Sequence, residues 1–228
     1  MLISEKLWGW KELVLLLVIT LVIVPVAIET YIQKALFQLL ENPLYSGTIT
    51  GAIMAIIFTL SIYMIALKPK GLSMKAVGLS SFSKGYWKWI VWWLFVHISL
   101  SIVILILMDI FNISWENSKT QSLQMDMTWF NITIAFISAA IISPIYEEIF
   151  YRGFLYKWLR GKWGITVGLF VSSTIFMIVH IPTYNTLPVN FITGMICAWT
   201  YEKTSSIWPA IIIHASFNGI ALILTTLN

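Results

Sequence analysis

The stretch Ile141–Arg160 reads IISPIYEEIFYRGFLYKWLR, and it places charged side chains at the end of a long apolar run. Glu147 and Glu148 are adjacent, and Arg152 follows the second glutamate by four residues. Each unpaired charge at the centre of a lipid bilayer costs about 2.5–3.5 kcal/mol on insertion scales. Charges that are retained at this cost predict a functional site in this stretch.

The composition is that of an integral membrane protein. The 228 residues are 59% hydrophobic and 11% charged, whereas soluble domains are about 45–50% apolar and about 25% charged. The net charge is +4, but no basic stretch is interleaved with aromatic residues, so we expect no nucleic-acid partner. The single cysteine, Cys197, excludes an internal disulfide and a thiolate metal site. We therefore expect the lipid bilayer to surround most of the chain.

Apolar segments of about 20 residues predict an all-α fold, a polytopic transmembrane bundle of about seven helices. The expected helices cover residues 12–32, 48–67, 89–111, 129–160, 165–181, 188–201 and 207–226. The first three form an N-terminal part, residues 1–128, with a basic linker over residues 68–88. The others form a core, residues 129–228, which contains every motif described below.

Basic residues are distributed unevenly over the loops that these helices define. With the N-terminus in the cytoplasm, 12 of the 14 Lys and Arg residues fall on the inner side, and only Lys34 and Lys119 fall outside. The positive-inside rule therefore predicts a cytoplasmic N-terminus. The Lys- and Ile-rich, Arg-poor composition is what an AT-rich genome favours, so we expect a bacterial cell membrane.

The fourth and fifth helices carry acidic and imidazole groups at matched positions. Glu148 and Arg152 are an i,i+4 pair on one helix face and are expected to brace it. Glu147 points about 100° away from Glu148 and faces a different neighbour. The turn at Gly161–Gly164 makes these helices a hairpin, and positions 147 and 180 are equidistant from it. We therefore expect Glu147 and His180 at the same depth.

The seventh helix carries His214 and Asn218, again an i,i+4 pair on one face. An amide in an apolar span must find a hydrogen-bond partner, because lipid offers none. With Glu147 and His180, this pair suits hydrolysis of an amide: a carboxylate and an imidazole can take a proton from water. An imidazole and an amide can donate hydrogen bonds to the oxyanion that forms. Alternatively, Glu147, His180 and His214 could ligate a divalent ion such as zinc, with an open position for water.

These motifs resemble the CAAX protease and bacteriocin-processing family, also called CPBP or Abi, whose members are intramembrane proteases related to the type II CAAX prenyl endopeptidase. The motifs are E-E-x-x-x-R at 147–152, F-x-x-x-H at 176–180 and H-x-x-x-N at 214–218. The resemblance implies that the water is activated by Glu147 and His180, that the oxyanion or a metal is bound by His214 and Asn218, and that the first motif is braced by Glu148 and Arg152.

We therefore expect an intramembrane endopeptidase that acts on a membrane-associated peptide or protein. A metalloprotease mechanism and a metal-free glutamate mechanism both fit the same side chains. The resemblance links bacterial members to peptide maturation, bacteriocin self-immunity or surface-protein regulation. One alternative is a non-proteolytic membrane binding or immunity scaffold. Another is a small proton-coupled transporter, but the inverted repeats typical of transporters are not visible in the sequence.

Overall fold

A computed structural model describes residues 7–114 and 118–227, with side chains for all of these except residues 118–120. Within these ranges the chain is all-helical and has no strand, so the expected fold class is confirmed. Two lysines used in the topology count, Lys6 and Lys119, have side chains outside the described residues. The division of the chain at residue 128 stays a prediction.

Seven long helices and one short helix make up the described chain. In chain order the helices are α1 (Trp10–Leu40), α2 (Pro43–Lys70), α3 (Trp87–Ile110), α4 (Ser118–Gln124), α5 (129–163), α6 (165–178), α7 (Leu187–Thr204) and α8 (Trp208–Thr226). Helices α5 and α6 belong to one helical segment, Trp129–Ile178, which is broken at Gly164. The short α4 lies between the third and fourth expected helices, where the sequence predicted no helix.

Five helical segments are long and apolar enough to cross a membrane, which supports the assignment as an integral membrane protein. The five are Trp10–Leu40, Pro43–Lys70, Lys84–Ile110, Trp129–Ile178 and Trp208–Thr225. Within α1, wider π-helical turns run from Ile19 to Ile32 around Pro25. A proline lacks the N–H that an α-helix needs, and a wider turn is one way to absorb that loss. The first helix is therefore continuous through its proline.

The hairpin of α5 and α6 has the predicted register. Gly164 has φ 84°, a left-handed conformation that glycine adopts without strain. The rings of Tyr151 and Phe176, which are equidistant from this turn, lie 5.0 Å apart between centroids. Glu147 precedes Tyr151 by one helical turn, and His180 follows Phe176 by one turn. The side chains of Glu147 and His180 are therefore carried at the same level of the hairpin.

The linker between α2 and α3 packs against α5 next to the acidic motif. Its Ala76 and Val77 are buried, whereas its two lysines, Lys75 and Lys84, are exposed. The backbone of Val77 lies so close to Gly153 that a Cβ there would be 2.4 Å from the Val77 carbonyl oxygen. The Lys157 Nζ donates a hydrogen bond of 2.9 Å to the Ala76 carbonyl. A segment expected only as a basic connection thus also holds the helix that carries the site.

Candidate active site

Helix α5 supplies a buried ion pair and a second carboxylate that points elsewhere. The Glu148 Oε1 accepts a hydrogen bond of 2.8 Å from the Arg152 Nη1, and the two side chains are 0% and 1% exposed. This is the i,i+4 brace expected from the sequence. The neighbouring Glu147 side chain is 15% exposed, in keeping with the rotation of about 100° per residue. The two adjacent glutamates are therefore in different environments.

His214 on α8 connects both glutamates. Its Nδ1 lies 2.8 Å from the Glu148 Oε1, and its Nε2 lies 3.8 Å from the Glu147 Oε2. Because a carboxylate only accepts hydrogen bonds, the His214 Nδ1 carries a hydrogen and donates it to Glu148. This cross-helix pairing was not expected from the sequence, which gave Glu148 only one partner. It orients the Nε2 of His214 toward the more exposed carboxylate.

His180 follows the C-terminal end of α6 and is half-buried. Its Nδ1 lies 2.7 Å from the carbonyl oxygen of Phe176, so this nitrogen carries the hydrogen and Nε2 keeps a lone pair in the neutral ring. The Phe176 ring is fully buried and meets the rings of His180 and His214 edge to face, with centroids 4.9 and 5.8 Å away. The two imidazoles therefore border the same aromatic ring.

Asn218 is bonded to the backbone of α5. Its Nδ2 donates a hydrogen bond of 3.0 Å to the carbonyl oxygen of Ala139. In this part of α5 the backbone N–H of Ser143 bonds to the carbonyl oxygen five residues earlier, that of Ser138. By the same spacing, the carbonyl of Ala139 would accept from residue 144, which is a proline and has no N–H. The Asn218 amide thus supplies the hydrogen bond that the proline cannot give, one turn away from His214.

The structure adds two residues, Thr193 and His97, that the sequence analysis did not include in the site. The guanidinium of Arg152 lies 4.4 Å from the centre of the Phe176 ring, and its Nη2 donates to the Thr193 carbonyl over 3.4 Å. The hydroxyl of Thr193 lies 3.0 Å from the Nε2 of His97. Spacing along one helix reveals partners on that helix only, and these partners come from α3 and α7. No sequence signal could have found them.

Two of the three side chains named as metal ligands lie close together. Zinc–ligand distances of about 2.0–2.2 Å place two donors of a tetrahedral ion roughly 3.4 Å apart, and the Glu147 and His214 donor atoms are 3.8 Å apart. Among the described residues, however, no group of three or more His, Cys, Asp or Glu side chains is arranged to hold a metal ion. The three-ligand site that includes His180 therefore stays a prediction.

The arrangement can orient a water molecule and move its proton. A separation of 3.8 Å between Glu147 and His214 exceeds the usual hydrogen-bond range of about 2.7–3.2 Å, so a single water could bridge the two groups. The carboxylate can accept a proton, and an imidazole can accept or donate one. Since His214 is held by a buried ion pair, its orientation costs little reorganisation during a reaction.

Comparison with known proteins shows what the segment that carries these residues is similar to. Residues 129–220 match the family model of Rce1-like type II CAAX prenyl endopeptidases. The chain is 30% identical to the "Putative membrane peptidase YdiL" of Bacillus subtilis over 50% of this chain and 46% of the relative. It is 29% identical to the "Membrane-embedded CAAX protease MroQ" of Staphylococcus aureus over 62% of this chain and 60% of the relative.

A third relative is the "UPF0177 protein YbdI" of Lactococcus lactis, which is 27% identical over 42% of this chain and 49% of the relative. The chain thus spans about half the length of the curated relatives it matches. No solved structure gives a significant match. All the motif residues lie within the matched segment. The resemblance inferred from the sequence is therefore confirmed: residues 129–220 are similar to the Rce1-like type II CAAX prenyl endopeptidases.

Proposed function

We propose that this protein is an intramembrane endopeptidase that hydrolyses a peptide bond of a membrane-associated peptide or protein. The observation that carries the proposal is the 3.8 Å gap between the Glu147 Oε2 and the Nε2 of a His214 that is fixed by Glu148. The family match and the names of the two peptidase relatives support the same reaction class.

In the proposed reaction, Glu147 and His180 activate the hydrolytic water. The carboxylate of Glu147 accepts a proton from the water as its oxygen attacks the peptide carbonyl. The neutral ring of His180, at the same level of the hairpin, offers the lone pair of its Nε2 to the same water. The proton held by Glu147 then passes to the nitrogen of the departing amine, which completes hydrolysis without a covalent enzyme intermediate.

The negative charge of the tetrahedral intermediate is assigned to donors on α8. A protonated His214 donates from Nε2 to the oxyanion while its Nδ1–H stays bonded to Glu148, which keeps the ring oriented. The Asn218 amide carries two hydrogens and uses one on the backbone of α5, so the second is available to the oxyanion. Removing one oxyanion donor costs on the order of 10²–10³ in kcat in comparable sites.

The proposed mechanism assigns each proton transfer to a side chain of the protein and uses no metal. A chelator should therefore leave activity unchanged, and elemental analysis of active, purified protein should find no stoichiometric divalent ion. Loss of activity that zinc restores would instead support the three-ligand site of Glu147, His180 and His214. In that case the two imidazoles would be metal ligands, and the reaction would still be hydrolysis of a peptide bond.

The proposed function can be tested before any substrate is identified. Membranes from cells that produce the wild-type protein, Glu147→Gln or Glu202→Gln are compared by mass spectrometry of newly formed peptide N-termini. Glu202 is a partly buried carboxylate paired with Arg160 outside the site, so it is the matched control. We expect cleavage products with the wild type and the control, and at least about 100-fold less with Glu147→Gln. The same products with all three proteins would refute the proposal.

A further inference from the structure

His97 is a buried imidazole that lies outside the segment matched by the family model. It belongs to α3, is 0% exposed, and stacks on the Phe217 ring of α8 with centroids 3.7 Å apart and planes 20° apart. Its Nε2 lies 3.0 Å from the hydroxyl oxygen of Thr193 on α7. An ionisable side chain inside an apolar bundle is costly to retain and calls for a functional explanation.

The hydrogen bonds of Thr193 indicate which nitrogen of His97 carries the hydrogen. The Thr193 hydroxyl also lies 2.9 Å from the Val189 carbonyl oxygen, which can only accept, so its single hydrogen points there. His97 must then donate from Nε2 to the Thr193 oxygen. The other ring nitrogen, Nδ1, is buried and has no hydrogen-bond partner among the described residues. A lone pair without a partner costs less than a buried N–H without one, which favours the same tautomer.

The backbone carbonyl of Thr193 connects His97 to the buried pair of Arg152 and Glu148. Its carbonyl oxygen accepts from the Nη2 of Arg152, whose Nη1 donates to the Glu148 Oε1 over 2.8 Å. The same oxygen of Glu148 accepts from the Nδ1 of His214. The chain of contacts thus runs from α3 through α7 and α5 to α8.

The stacking partner of His97 lies on the same helix as the proposed oxyanion donors. Phe217 follows His214 by three residues and directly precedes Asn218. Residues three apart on a helix lie on neighbouring surface positions, so the His97 ring supports the helix face that carries His214. His97 is therefore connected to His214 in two ways: through Thr193 and the Arg152–Glu148 pair, and through Phe217 on the same helix as His214.

We propose that His97 is a positioning residue that fixes the orientation of His214 through Thr193 and the Arg152–Glu148 pair. The catalytic consequence rests on the proposed function. The structural consequence, a single fixed tautomer of His214, does not depend on that function and can be measured separately.

The test uses the fact that the chain has only three histidines. In detergent micelles, ¹⁵N-histidine NMR resolves the ring nitrogens of His97, His180 and His214 and reports the tautomer of each. Thr193→Val removes the hydroxyl with little change of shape and introduces no aromatic ring. Thr200→Val is the matched control, because Thr200 is equally buried on the same helix about two turns further on.

For the neutral form of the ring, we expect one Nδ1–H tautomer of His214 in the wild type and in Thr200→Val. In Thr193→Val we expect a mixture of two tautomers, because a displaced Thr193 carbonyl no longer holds Arg152 and the Glu148 acceptor in place. We expect the same mixture in His97→Phe, which keeps the stack and loses the hydrogen bond. His97→Gln, which can donate again, should restore the single tautomer. Cleavage rates in membranes should follow the same order, with a loss of roughly tenfold in Thr193→Val, a change of about 1.4 kcal/mol in the activation barrier.

Two results would overturn the inference. One is an unchanged His214 spectrum in folded Thr193→Val, and the other is an equal disturbance by Thr200→Val. If His97→Phe does not fold, the comparison of the two threonine variants still decides. If the wild type cleaves nothing, the proposed function fails, but the NMR comparison still supports or refutes the positioning role of His97.

Discussion

Replacing Arg152 by methionine tests the buried ion pair on which the site depends. The side chains of Glu148 and Arg152 are 0% and 1% exposed, so the substitution leaves a carboxylate uncompensated in an apolar interior. Removing one partner of a buried pair costs about 3–5 kcal/mol. The guanidinium also lies 4.4 Å from the Phe176 ring, a contact whose loss adds to the cost. We therefore expect Arg152→Met to lower the free energy of unfolding by about 3–5 kcal/mol.

The assay is reversible unfolding in mixed micelles, followed by tryptophan fluorescence. The control is Arg160→Met, because the ion pair of Arg160 with Glu202 is more exposed, at 22% and 11%. That pair is screened by solvent, so its loss should cost only about 1 kcal/mol. The reasoning is refuted if Arg152→Met unfolds within about 1 kcal/mol of the wild type, or if the two arginine variants lose equal stability.

A double substitution separates the contribution of the pair to stability from its contribution to catalysis. Replacing a buried ion pair by apolar side chains is often neutral or stabilising, and the Oε2 of Glu148 already has no hydrogen-bond partner among the described residues. Glu148→Leu combined with Arg152→Met should therefore recover most of the stability lost by Arg152→Met alone. The double variant should nevertheless have no cleavage activity, since the Nδ1 of His214 has lost its hydrogen-bond acceptor. A stable and active double variant would contradict the role assigned to Glu148.

Three further outcomes follow from the packing and the charge distribution. Asn218→Leu should destabilise the protein by about 1–3 kcal/mol, because it leaves the partly buried carbonyl of Ala139 unpaired. Adding Pro144→Ala, which restores a backbone N–H, should recover part of this loss, and no recovery in the unfolding assay would contradict the pairing. Gly153→Ala places a Cβ 2.4 Å from a linker carbonyl and should cost about 1–3 kcal/mol. Gly161→Ala, with nothing within 4 Å, should be stabilising by about 0.5–1 kcal/mol, and equal effects of the two would contradict the linker packing. Lys75→Cys should react with an impermeant maleimide from the cytoplasmic side only, since the native cysteine is buried, and labelling from outside would reverse the predicted orientation.

The sequence predicted those parts of the site that depend on distance along one helix or around one turn. The Glu148–Arg152 contact follows from an i,i+4 spacing, and the hairpin register follows from the position of the glycine turn. The sequence could not predict which helix faces which, because many rotations of apolar helices bury similar areas in lipid. The bond from His214 to Glu148 was missed for this reason. The short helix α4 was missed because its residues show no apolar periodicity.

The main change from the sequence-based hypothesis concerns the division of work between the adjacent glutamates. The sequence suggested a brace, Glu148 with Arg152, that is separate from the reacting groups. In the structure one imidazole contacts both carboxylates, through Nδ1 to Glu148 and through Nε2 toward Glu147. Since adjacent helical residues diverge by about 100°, a single glutamate could not hold His214 from behind and also face the water. The proposed chemistry therefore requires two consecutive glutamates. Neutralising Glu148 should abolish the activity of Glu147, although Glu148 itself does not contact the substrate.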